Sequence, residues 1–123
     1  MKRIILDTNA VMAIAGLQLD IFSALEECCD FHYEIYILEG TIDELEKIQH
    51  EQPGKHKAAA KLGLALLKAR DVEVIPSKGL VDDILVKYSK LGDLILTQDK
   101  ELRNRLKRPY LTIRQKKKVI LVK

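Results

Sequence analysis

The sequence predicts an α/β fold, a three-layer α/β/α sandwich with a central, mainly parallel sheet, built as one domain over residues 1–123. Two observations carry that expectation. Short apolar runs rich in Ile, Leu and Val alternate with longer amphipathic runs, and alternation of strand with helix implies crossover units whose parallel strands are covered on both faces. A chain of 123 residues is long enough for one substantial core and too short for two independent ones.

The elements follow in order. "KRIIL" (2–6) reads as a buried strand, followed by a helix around "AVMAIA" and a second in "DIFSALEECC" (20–29), where Asp20 holds the capping position. "YEIYIL" (33–38) is the second strand. Gly40 and Thr41 predict a turn or cap before "IDELEKIQ" (42–49), whose Ile42, Leu45 and Ile48 recur at helical spacing. Pro53 and Gly54 interrupt the chain within "EQPGKH" (51–56), and "KAAAKLGLALLKAR" (57–70) is a strong helix despite Gly63. "VEVI" (72–75), "LVDDILVKYSKL" (80–91) and "DLILT" (93–97) give strand, helix and strand. A short helix, "KELRNRL" (100–106), precedes two final strands, "YLTI" (110–113) and "KVILV" (118–122), separated by the basic link "RQKK".

Composition narrows the function. Apolar residues make up 47% and charged residues 32% of the chain, with no tryptophan, which suits a compact enzyme or binding domain and excludes a disordered or fibrous chain. No apolar run approaches the ~20 residues of a membrane span, and no basic leader precedes the first strand, so the expectation is a cytoplasmic protein without a membrane partner. Cys28 and Cys29 are adjacent, a spacing that suits neither a zinc site nor a disulfide framework, and they are expected as reduced, buried thiols on a helix.

The net charge of +3 conceals a division along the chain. Residues 100–123 carry ten Lys or Arg against Glu101 alone, a net of +9, and residues 1–99 carry −6. An acidic body with a basic end suits a polyanion held close to carboxylates, and a solvated lysine-rich tail explains the same charge equally well.

In open parallel sheets, sites form beyond the carboxyl ends of the strands. Asp7 ends the first strand and Asp99 follows the fourth, while "DELE" (43–46) and "DD" (82–83) open helices after the second and third. Carboxylates converging in one place repel one another, and a divalent cation relieves the repulsion. All-oxygen donors suit Mg²⁺ or Mn²⁺, which can activate water for attack on a phosphodiester.

The stretches "IILDTNAVM", "TIDELEKI" and "VDDILVKYSKLGDLILTQDKEL" resemble the PIN-domain family of metal-dependent ribonucleases, in the right order and over nearly the whole chain. The likeness implies a PIN-type sandwich, an Mg²⁺ or Mn²⁺ cofactor and an RNA substrate, structured or ribosomal. It implies Asp7, Glu44, Asp83 and Asp99 as the catalytic and metal-holding acids, with Thr8, Asn9 and Thr97 as supporting polar groups. Between the adjacent Asp82 and Asp83, periodicity does not choose, and only the family pattern selects Asp83. Arg103, Arg105, Lys107, Arg108, Arg114, Lys116 and Lys117 are the candidates for RNA backbone contacts.

Plainer roles accompany each acid. Asp7 and Asp99 can cap the helices that follow them, Glu44 sits at the edge of an apolar stripe where a solvated surface acid is common, and carboxylates at residues 82 and 83 suit a helix start. Asp93 precedes its strand and is expected in a turn at the opposite sheet edge. His32, His50 and His56 lack metal-pair spacing and are expected at surface or loop positions.

A haloacid-dehalogenase-like phosphatase would require a second aspartate two residues after the first, where this chain has Asn9. A non-catalytic RNA-binding module with the same fold is a second alternative, although all four matched acids are present. Within the family, "YLTIRQKKKVILVK" (110–123) resembles the ending of the branch that processes ribosomal RNA. A VapC-type toxin ribonuclease is the alternative. The corresponding partners are a ribosome-assembly factor or an antitoxin, and many relatives form homodimers.

Overall fold

All 123 residues are described by a computed structural model. Twelve elements alternate along the chain: β1 (Lys2–Leu6), α1 (Thr8–Gly16), α2 (Ile21–Cys28), β2 (Tyr33–Leu38), α3 (Glu39–Glu51), α4 (Gly54–Ala69), β3 (Glu73–Ile75), α5 (Val81–Lys90), β4 (Leu94–Leu96), α6 (Lys100–Arg105), β5 (Tyr110–Arg114) and β6 (Lys118–Val122). They form one sheet in the order β3-β2-β1-β4-β5-β6. The first five strands run parallel to their neighbours, and β6 pairs antiparallel with β5.

The sheet is buried on both faces because residues alternate in direction along each strand. Ile4 and Leu6 join Leu94 and Leu96 in a core with residues of α1 to α4, whereas Ile5 and Ile95 join Leu85, Val86 and Leu102 of α5 and α6 in a second core. The order of connections explains the split. From β1 the chain steps outward through β2 to β3, then crosses back to β4 on the other side of β1. Right-handed crossovers put the helices of the outward steps on one face and α5 on the opposite face. The reversal opens a crevice between the carboxyl ends of β1 and β4, the place where ligands bind in such sheets.

Two expectations shift in detail. Gly40 and Thr41 lie inside α3, which starts directly after β2 at Glu39. Gly40 serves close packing there, since an added Cβ would stand 3.0 Å from Val81 Cγ2, and its N–H donates to Ser77 Oγ at 2.9 Å. The interruption around Pro53 shrinks to two residues, because α4 begins at Gly54. Asp93, at the amino end of β4, is ion-paired with Arg3 at 3.3 Å. Cys28 and Cys29 are free thiols, and burial pushes Cys29 up to about 12. No single helix is long and apolar enough to cross a membrane.

Candidate active site

A cleft of about 690 Å³ opens at the crevice between β1 and β4, and four acids line it: Asp7, Glu44, Asp82 and Asp99. Each comes from a different strand-to-helix connection. Asp7 follows β1 and caps α1, Glu44 lies in the second turn of α3, Asp82 opens α5, and Asp99 caps α6.

Asp7 is the most constrained of the four. It is only 5% exposed. Its Oδ1 accepts the Thr8 N–H at 2.8 Å and its Oδ2 accepts the Thr97 hydroxyl at 2.7 Å. These bonds favour the carboxylate, but burial, with added repulsion from Asp82 and Glu44, raises its pKa to about 6. The side chain is thus held in place at a position that disfavours its charged form.

Thr97 organises the other strand end. Its oxygen accepts the Asp99 N–H at 3.0 Å while its proton goes to Asp7, so one hydroxyl links both acids. Asn9 Oδ1 accepts the Gln98 N–H at 3.0 Å and ties the start of α1 to the end of β4. Thr8 extends the network in the other direction, because its hydroxyl donates to Glu44 Oε1 at 2.7 Å. Glu44 is exposed, yet this bond turns it toward the cleft. Asp99 Oδ1 accepts the N–H groups of Glu101 and Leu102 at 2.9 and 3.3 Å, which caps α6 and leaves Asp99 lining the cleft as well.

At the third connection the structure brings Asp82 to the cleft in place of Asp83. The Asp82 carboxyl is raised by partial burial and by the nearby Asp99. Asp83 instead accepts the Arg105 guanidinium at 2.7 Å and lines a smaller hollow beside the cleft. Consecutive residues on a helix point about 100° apart, which turns Asp82 to the main cleft and Asp83 to the adjoining hollow, where Glu44 and Asp82 also stand. The resemblance selects Asp83 at this connection, whereas Asp82 is the one of the pair that lines the main cleft.

The candidate cations separate by sheet edge. Arg114, Lys116 and Lys117 lie at the turn between β5 and β6, at the carboxyl end of β5 and therefore at the same edge as the acids. Arg103 and Arg105 lie on α6. Lys107 and Arg108 sit away from the acids, the former bonded through its backbone to Ser89 near the end of α5, the latter donating to the Lys123 carbonyl. The helix after Asp99 has carried the chain back toward the amino end of β5, which separates these two from the cleft. Lys55 and His56 also line the cleft. The sequence hid them because they follow the Pro53–Gly54 break and approach the acids only when α4 packs across α1.

A family model described as "PIN like domain" matches residues 4–116. The chain belongs to the PIN-like domain family. This PIN-like domain is 27% identical over 123 residues to "Ribonuclease VapC4" of Methanocaldococcus jannaschii, an alignment covering 95% of the chain and 94% of the relative. It is 31% identical over 105 residues to "Ribonuclease VapC9" of Archaeoglobus fulgidus, covering 84% of the chain and 74% of the relative. Among solved structures its fold is similar to the PIN domain endonuclease Utp24, with a TM-score of 0.75 at 24% identity, over 97% of this chain and 90% of that one. A domain of a functionally unknown protein from Methanocaldococcus jannaschii gives a TM-score of 0.56 at 16% identity, over 85% of this chain and 83% of that one.

The donor set of this PIN-like domain suits a hard divalent cation: four carboxylates face one cleft, and the most buried of them, Asp7, is raised by burial and by the neighbouring Asp82 and Glu44. No three of its acids are gathered tightly enough to ligate one ion together.

Proposed function

We propose that the protein is a metal-dependent endoribonuclease whose working acids are Asp7, Glu44, Asp82 and Asp99. The observation that carries this reading is the convergence of acids from four connections on the crevice at the β1/β4 reversal. The ribonuclease names of the VapC relatives support RNA as the substrate.

In this reading Asp7, Glu44, Asp82 and Asp99 are the residues that would hold one or two Mg²⁺ or Mn²⁺ ions. When bound, such an ion lowers the pKa of water and neutralises charge on a phosphodiester. The chain's own contribution is positional. Thr97 fixes Asp7 relative to Asp99. Thr8 fixes Glu44. Asn9, with its oxygen committed to Gln98, offers its amide N–H groups as donors toward a phosphate oxygen. Arg114, Lys116 and Lys117 supply positive charge at the acid edge for the RNA backbone.

Of the two biological roles, a VapC-type toxin restrained by an antitoxin draws support from the relatives' names. Ribosomal RNA processing draws on the likeness of the C-terminal segment alone. The deciding experiment incubates purified protein with ribosomal RNA and Mn²⁺, beside a folded Asp7→Asn variant and an EDTA control. Cleavage by the wild type alone, abolished by EDTA, is expected. Equal RNA binding with and without metal, and cleavage by neither protein, would leave an RNA-binding module instead. Growth arrest on expression, relieved by the Asp7→Asn change, would favour the toxin role over processing.

A further inference from the structure

The sheet ends at β3, which pairs only with β2. Outside that pairing no backbone hydrogen bond involves Glu73, Val74 or Ile75, so the outer side of the strand is open. The helices α3 and α4 find no strand beyond β3 to cover, and a hollow of about 570 Å³ is left there. Ile37, Ile42, Leu64, Leu67, Val72 and Val74 give it an apolar lining. Val74 is 46% exposed, a β-branched side chain left open to solvent on an edge strand. The hollow is separate from the acid-lined cleft, because α3 stands between them: Glu44 and Ile48 face the cleft, and Ile42, Glu46 and Gln49 face the hollow.

The charge along this edge is one-sided. Glu46 and Asp71 rim the hollow, and Asp71 also borders a second one of about 450 Å³, where Glu26, Glu34 and Glu73 stand. Against these five carboxylates there are two cations, Lys68 and Arg70, and none of the seven joins a salt bridge. Arg70 is laid over the Phe22 ring at 4.5 Å. A chain of net charge +3 thus carries a locally acidic edge beside an apolar hollow.

We propose that the β3 edge docks a partner protein, which adds one extended strand whose residues alternate between aliphatic and Lys or Arg. Main-chain groups of the partner pair with the open side of β3, as edge strands recruit extended peptides. Side chains of an added strand alternate between the two faces. Aliphatic side chains two residues apart therefore enter the hollow beside Val74, while the residues between them lie on the face of Glu73, where positive charge is favoured. With three residues of edge the ladder is short, and the contact is reversible. Phosphates are repelled by the same carboxylates, and a nucleotide chain lacks the peptide groups that an open strand pairs with.

The test uses the full chain and a fluorescent peptide of alternating valine and lysine, about eight residues long, read by anisotropy. Saturable binding is expected, about tenfold or more tighter than for a peptide of alternating valine and glutamate. Val74→Lys, which puts a charge at the hollow, is expected to weaken binding about tenfold, and Glu73→Lys about threefold. Asp43→Lys makes the same charge change on α3 outside both hollows and should bind like the wild type. All three positions are exposed, and unchanged melting temperatures are expected to show that the variants fold. Peptide binding unaffected by Val74→Lys would overturn the site. Equal weakening by Asp43→Lys and Glu73→Lys would overturn it as well, because net charge alone would then govern binding. Sedimentation of the wild type is expected to show a monomer; a dimer that Val74→Lys abolishes would overturn the partner and give the edge to a second copy of the chain.

Discussion

A single carboxyl group, Asp7, carries opposing demands. Folding buries it and ties it to Thr97 and Thr8, yet its pKa rises from 3.8 to about 6. The folded chain therefore holds more protons than the unfolded chain between these values. The stabilising contribution is complete below the unfolded pKa and is lost as pH rises through the folded one. Asp7→Asn removes that loss: without divalent ion, at about pH 7.5, the variant should be more stable by about 2 kcal/mol, with the difference vanishing near pH 4. Thermal melts across that range check it, and an unchanged or lower melting temperature at neutral pH would refute it. Added Mg²⁺ should stabilise the wild type more than the variant, because a ligand stabilises only the state that binds it. The neighbouring pair gives a second contrast. Asp82→Asn should reduce RNA cleavage about a hundredfold or more, as expected for a group near the reacting phosphate, whereas Asp83→Asn should leave the rate within about fivefold, because Asp83 acts only through Arg105. Equal losses in turnover assays would remove the distinction. The places of Asp7 and Asp99 were legible in the sequence because each follows within three residues of an apolar strand, at the carboxyl end where sites form. The place of Asp82 was not, because choosing between adjacent helical residues requires the rotation of α5 and the position of Arg105, 22 residues beyond Asp83 in sequence.

At the scale of elements, α1 and α4 set the shape of the cleft, and Gly63 sets their approach. A Cβ on Gly63 would stand 2.5 Å from Val11 Cγ1. Helix propensity alone makes Gly63→Ala favourable by about 1 kcal/mol. The clash opposes it, and overpacking typically costs about 1–3 kcal/mol, so Gly63→Ala should lower stability or leave it flat in denaturant melts. In a Val11→Ala background the same change should become stabilising, the sign reversal being the coupling between the two positions. A stabilising effect in the wild-type background would show that the helices can separate freely. The sequence marked Gly63 only as a weak point in a strong helix, since nothing local reveals what crosses it. Gly40 was misread for the same reason. Turn formation is the commoner use of glycine, and its close approach to Val81 and Ser77 depends on the loop after β3. The periodic helices and apolar strands needed no such information, and their order alone predicted the sandwich.

For the whole molecule, the central question is how an acidic body and a basic end cooperate. The linear charge count divides the chain at residue 100, but the fold redistributes it. Parallel pairing of β5 with β4 carries Arg114, Lys116 and Lys117 to the edge of the sheet where Asp7 and Asp99 stand. Lys107 and Arg108, counted in the same basic segment, are carried away from that edge. Charge near the acids should matter to RNA binding, and equal charge far from them should not. Replacing Arg114, Lys116 and Lys117 by Gln should therefore weaken RNA binding by about tenfold or more at physiological salt and lower the log–log salt slope by about two to three. Replacing Lys107 and Arg108 by Gln removes nearly as much charge and should change the slope by less than about one. Salt titrations of RNA binding by the folded variants separate the cases. If both sets of replacements lower affinity equally, the long-range field of the net charge governs binding, and the placement of the hairpin at the acid edge has no special part in it.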